Sequence, residues 1–186
     1  GPQILKLVDK GDRFEIKGAP ISEQVPELAT SSSIIDAIVD RERDEVYPGG
    51  YYVPKSCQRT FIRPRLNGLT GKHAGDFKLK NYGTSLDEMI FGRDGLIYLM
   101  TYKAGLARFT RDSQPVPFKE TGSHILKTAP QGHQRGRGFD ITANGDIYSL
   151  HNLKWRNRGN HKVSYYSSDG KLVQYALVDM KGPSAG

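Results

Sequence analysis

Leu86-Asp87-Glu88-Met89-Ile90-Phe91-Gly92-Arg93-Asp94-Gly95-Leu96-Ile97-Tyr98 decides the reading of the fold. It is an apolar strand, a tight turn and a second strand that closes on tyrosine. Asp94-Gly95 suits such a turn because glycine accepts positive φ without a steric cost. The pattern recurs on both sides. Upstream, Ile34-Ile35-Asp36-Ala37-Ile38-Val39-Asp40 runs through a charged turn into Glu45-Val46-Tyr47. Downstream, Gly138-Phe139-Asp140-Ile141 runs through Thr142-Ala143-Asn144-Gly145 into Asp146-Ile147-Tyr148. The closing residues Tyr47, Tyr98 and Tyr148 recur with a period of about 50 residues.

A second hairpin follows each of these. Thr60–Arg63 leads to 74–77, Ala107–Phe109 leads to Val116-Pro117-Phe118, and Val163–Tyr166 leads through Ser167-Ser168-Asp169-Gly170-Lys171 to Leu172–Tyr175. Each unit therefore holds four strands in up-and-down order. Such a unit at this period is the signature of a β-propeller blade. The expected fold class is all-β, a single partial propeller over residues 1–186. Blades are expected at 34–80, 84–120 and 137–178. Residues 3–33 read as the outer hairpin of an incomplete blade plus its connection, and 181–186 as the start of a further one. Helix signals are weak; the largest candidate, Ser22–Thr30, is interrupted by Pro26. Propellers have ~4–8 blades, and three and a half leave sheet faces uncovered. The favoured expectation is a piece of a longer propeller. Closure by a second chain, or a small four-bladed ring with one defective blade, would also cover those faces.

Asp/Asn-Gly-x-Ile-Tyr followed by Ser-Asp-Gly-Lys-Leu is similar to the blades of NHL-repeat propellers. It also resembles the related regucalcin/gluconolactonase-type and lyase-type propellers. The resemblance covers residues 34–186 and speaks to architecture more than to activity. It implies a disc whose first strands line a central channel. In the gluconolactonase type such a channel holds a divalent metal on acidic and amide side chains, and in the lyase type it carries histidines.

Composition narrows the field. The chain has 186 residues, with 37% hydrophobic and 25% charged residues and a net charge of +7. It is too apolar for disorder, and no run approaches the ~18 apolar residues of a membrane-spanning helix. The single cysteine, Cys57, excludes an internal disulfide framework and a cysteine-rich zinc site. Its neighbours Lys55 and Arg59 favour thiolate, but no histidine stands near it in sequence. There is no phosphate-binding glycine loop, nucleophile elbow or HExxH motif. The compartment is not fixed, an extracytoplasmic bacterial setting being the favoured expectation.

Three constellations carry chemistry. Counting eleven residues back from each closing tyrosine reaches Asp36, Asp87 and Arg137. At one level of a channel these acids could hold one divalent cation, calcium or zinc; acids at such positions equally serve as turn caps. The five histidines, His73, His124, His133, His151 and His161, show no metal-ligand spacing. The most distinctive feature is basic. Residues 1–50 carry a net charge of −4, whereas Gln131–Lys162 alone carries +4. His133, Arg135 and Arg137 precede the third blade, and Trp155, Arg156 and Arg158 lengthen its middle loop. Arginine beside an aromatic ring suits an anionic group plus stacking, while the same charges also keep a β-rich surface soluble.

The expected function is therefore a non-catalytic scaffold whose basic loop face, His133, Arg135, Arg137, Trp155, Arg156 and Arg158, meets a protein or an anionic polymer such as a glycan or RNA. No cofactor is needed for that. The rival expectation is a metal-dependent hydrolase or lyase working at Asp36 and Asp87, which stoichiometric calcium or zinc in the purified protein would support. A third is a structural subunit that self-associates or docks in a larger assembly through its uncovered sheet faces.

Overall fold

Short β-favouring runs broken by glycine-bearing turns give an all-β chain. The computed structural model describes residues 5–18, 36–49, 62–78, 86–101, 105–128, 136–152 and 160–181. Among these there is no helix. Ser22–Thr30 lies outside them. The strands form one two-stranded sheet and three four-stranded antiparallel sheets, each wound in chain order as an up-and-down meander. This is the blade-type repeat expected from the sequence. The chain divides into two compact units, Gly1–Asn81 and Tyr82–Gly186.

The first unit opens with the hairpin of β1 (Leu7–Asp9) and β2 (Phe14–Ile16), in which Leu7 pairs with Ile16. Its four-stranded sheet runs β3 (Asp36–Asp40), β4 (Glu45–Gly49), β5 (Ile62–Asn67), β6 (His73–Lys78). The turn after β3 is set by Asp40, whose Oδ1 accepts the N–H groups of Glu42 and Arg43 at 3.1 and 3.2 Å. Asn67 plays the same part after β5, accepting from Leu69 and Thr70. Tyr47, Leu66 and Phe77 are fully buried, and the Tyr47 and Phe77 rings meet edge to face at 6.2 Å. Such a pair adds about 0.5–1.5 kcal/mol beyond its burial.

The second unit holds two sheets. One is β7 (Leu86–Phe91), β8 (Ile97–Thr101), β9 (Gly105–Phe109) and β10 (Ile125–Leu126); the other is β11 (Gly136–Ile141), β12 (Ile147–Asn152), β13 (Asn160–Tyr166) and β14 (Leu172–Lys181). Ile97, Tyr98, Leu99 and Met100 are all buried, so β8 is covered on both faces and reads as an unbroken apolar run. Between the sheets lies a core of Tyr98, Met100, Leu106, Phe118, Leu126, Phe139, Ile147 and Tyr166. Each large apolar side chain there contributes roughly 1.5–3 kcal/mol. Tyr98 Oη donates to Asp94 Oδ2 at 2.7 Å, which ties the closing tyrosine back to its own turn.

One strand differs from expectation. Val116–Phe118 does not form the fourth strand of its sheet. Pro115 makes an isolated bridge with Phe109, and the fourth strand is Ile125–Leu126, paired with Ala107 and Leu106. Pro115 and Pro117 lack the N–H groups a ladder needs, so the chain loops onward before it pairs again. Phe118 is buried in the core instead, with the Arg108 guanidinium 4.0 Å from its ring centroid.

Candidate functional site

The ladder of the last sheet fixes its strand ends. Gly136 pairs with His151, Asn152 with His161 and Asn160 with Lys181. All four strand ends therefore stand side by side at one end of the sheet. Into this end runs the chain segment carrying His133 and Arg135. Out of it and back runs the segment carrying Trp155, Arg156 and Arg158. Those five residues lie outside the described residues. Arg137 is described in its backbone alone: it is the extra residue of a β-bulge between the pairs Gly136–His151 and Gly138–Leu150. A bulge bends a strand and re-aims the extra residue's side chain.

The inner strand of the preceding sheet repeats this device. Asp87 is the extra residue between the pairs Leu86–Thr101 and Glu88–Met100. In β3 the ladder is regular, and Asp36 pairs directly with Gly49. The turn Arg41–Asp44 has four residues, where Gly92–Leu96 and Thr142–Asp146 have five. The count of eleven from each tyrosine thus reaches a ladder position at Asp36 and bulge positions at Asp87 and Arg137, not one common rung. Their side chains, like Cys57, lie outside the described residues. Among the described residues, no cluster of three His, Cys, Asp or Glu side chains could hold a metal ion.

Two features escape a reading of sequence alone. Glu88 Oε2 accepts the backbone N–H of Phe139 at 2.9 Å, a tie from β7 to β11. Its signal is faint, one carboxylate among apolar strand residues. The second is a polar patch on the core side of the last sheet. On β12, Ile147, Ser149 and His151 alternate inward and all are fully buried. Ser149 pairs with Ser164 and His151 with Lys162 on β13. The His151 ring stacks on Tyr175 of β14 at 5.7 Å, and Lys162 Nζ lies 5.4 Å from the same Tyr175 ring centroid. Ser149 Oγ, Tyr175 Oη and both His151 ring nitrogens are buried without a hydrogen bond of normal geometry. Burial lowers the pKa of His151; the Lys162 charge acts the same way, and a backbone contact with Ser149 opposes them. Burial thus favours the neutral ring. Polar residues in the inward phase of Ile147-Tyr148-Ser149-Leu150-His151 are the signal that could have found this patch.

His73 and His124 have structural partners, and the side chain of His161 lies outside the described residues. His73 Nε2 pairs with Asp76 Oδ1 at 2.7 Å, and His124 packs edge-on against Phe109. A cleft of about 540 Å³ lies at the β13–β14 turn, lined by Glu120, Thr121, Lys127, Tyr166, Lys171 and Leu172. Its charges are of both signs. No helix among the described residues is long and apolar enough to cross a membrane. No protein-family model and no curated protein sequence matches this chain.

Proposed function

We propose that this chain is a non-catalytic scaffold of NHL-type propeller blades that offers a basic loop face to an anionic partner, whether an acidic protein, a glycan or RNA. The observation that carries the reading is the ladder at one end of the last sheet. It brings together the strand ends that bracket both cationic segments, Gly136 with His151 and Asn152 with His161. Both cationic stretches adjoin strand ends paired in that ladder, and Gln131–Lys162 carries a net charge of +4 in the sequence. A focused field of one sign raises the encounter rate with a polyanion and makes binding salt-dependent. Retention on immobilised heparin tests this. Arg156→Glu with Arg158→Glu should elute at clearly lower salt than the parent. A matched reversal at Lys10 and Lys17, in the acidic first stretch, should not. Equal elution of all three would remove the reading.

A second reading, a subunit of a larger assembly, is favoured by one observation. Leu7, Phe14 and Ile16 share a face of the β1–β2 hairpin and are 54%, 68% and 61% exposed. A contiguous apolar face of this kind marks an interaction surface. A native mass equal to one chain, unchanged by Phe14→Ser with Ile16→Ser, would count against it.

A further inference from the structure

We propose that the face of the last sheet turned away from the core is a docking surface for a second copy of this chain, whose first four-stranded sheet seats on it. This deepens the assembly reading by naming the occupant, and it uses faces other than the β1–β2 hairpin. The two sheets of the second unit follow one register. Tyr98 pairs with Arg108, Met100 with Leu106 and Leu106 with Leu126. Tyr148 pairs with Tyr165, Leu150 with Val163 and Val163 with Val178. Tyr148, Leu150, Val163 and Val178 therefore hold the places of Tyr98, Met100, Leu106 and Leu126. The latter four are buried, in one core with Phe139, Ile147 and Tyr166 of the last sheet. The former four stay open: Tyr148, Leu150 and Val163 are half-exposed, and Val178 is 46% exposed. On this open face the Tyr148 and Tyr165 rings stack at 5.1 Å, and Tyr165 Oη donates to Asp146 Oδ2 at 2.9 Å. Side chains already held in place lose little freedom when a partner docks.

What covers such a face inside the chain is the opposite phase of a like sheet, the phase of Ile141, Ile147 and Tyr166. In the first four-stranded sheet that phase holds Val39, Val46 and Leu66. Val39 pairs with Val46 and Val46 with Leu66, as Ile141 pairs with Ile147 and Ile147 with Tyr166. Leu66 is buried, but Val46 is half-exposed and Val39 is 53% exposed. Among the described residues each copy thus leaves one apolar face open and offers an apolar cover of the matching phase. Charge favours this pairing over the last sheet meeting its own counterpart. Tyr82–Gly186 holds 14 basic and 9 acidic residues, a net +5, whereas residues 1–50 carry −4. Unlike ends attract, and two second units repel. A contact between unlike faces is heterologous, so it closes into a ring of copies or continues as a series.

Sedimentation equilibrium over a series of concentrations tests the contact. The parent should exceed the mass of one chain, reversibly. Leu150→Glu and Val39→Lys each put a charge into the apolar contact, of the sign the facing unit already carries. Each should weaken association about tenfold or more. Mixed in equal amounts, the two variants should associate more tightly than either alone, because the intact Leu150 face of one meets the intact Val39 face of the other. Where Leu150→Glu lowers the thermal midpoint, Val178→Glu replaces it at a more exposed position on the same face. A parent with the mass of one chain at every concentration overturns the proposal. So does association lost with Leu150→Glu and kept with Val39→Lys, which is the last sheet meeting its own counterpart, and so does a mixture no tighter than the single variants. If Phe14→Ser with Ile16→Ser separates the copies and neither charge variant does, the assembly reading stands on its hairpin and this contact fails. If the charge variants separate them and the hairpin variant does not, this contact stands and the hairpin is not the interface.

Discussion

A buried imidazole is a liability in acid. The fold favours the neutral ring of His151 and lowers its pKa from 6.5. The unfolded chain takes up that proton at about pH 6.5. The unfolded state therefore binds more protons below this point, and stability present above it is lost as pH falls through it. The urea midpoint of the parent should drop between about pH 7.5 and about pH 5.5, and His151→Leu should flatten that drop; parallel curves for the two would refute it. Tyrosines give a complementary signature. Tyr47, Tyr98 and Tyr166 are each pushed up to about 12, chiefly by burial, with hydrogen bonds to Glu45 and Asp94 adding to the first two. In a spectrophotometric titration these three should ionise well above the free tyrosine value of ~10; loss of all ten in a single step near pH ~10 would contradict the packing. Glycine matters at Gly105, where φ is +91° and a Cβ would collide with the Leu126 carbonyl oxygen. Gly105→Ala should cost at least ~1–2 kcal/mol by chemical denaturation.

Elements were legible where turn and ladder agree. Asp94-Gly95 and Asn144-Gly145 mark their hairpins because φ is positive at both glycines and apolar strand residues flank them on either side. Legibility failed where pairing skips a long stretch. Arg108-Phe109 is followed by two prolines, and the true edge strand, Ile125-Leu126, is only two residues long, too short to announce itself. Bulges were equally silent. The inserted residues Asp87 and Arg137 leave no mark in the hydrophobic pattern, and so a count along the chain treated them as rungs. For the same reason the candidate site was only partly readable: the charge excess needed nothing but sequence, whereas the inward phase of Ser149 and His151 needed the ladder. Glu88 belongs at this scale too, since it fastens one sheet to the next. Glu88→Ala strips the Phe139 N–H of its acceptor and should cost about 1–3 kcal/mol, read as a lowered denaturation midpoint with an unchanged slope.

At the scale of the whole chain, three four-stranded meanders and one hairpin repeat a single architectural idea, and charge is laid over it unevenly. Residues 1–50 are net acidic while the rest of the chain carries +11. Architecture of this kind hosts many activities, so the functional reading stands on the loop end of the last sheet and not on the fold. Its central claim is that Arg156 and Arg158 make ionic contacts with a polyanion. The most direct test is the salt dependence of binding to a single-stranded RNA oligomer, compared between the parent and Arg156→Gln/Arg158→Gln. Two lost contacts should reduce the log–log slope by about 0.7 each, with weaker binding at low salt. The same affinity and the same slope in both proteins would contradict the account.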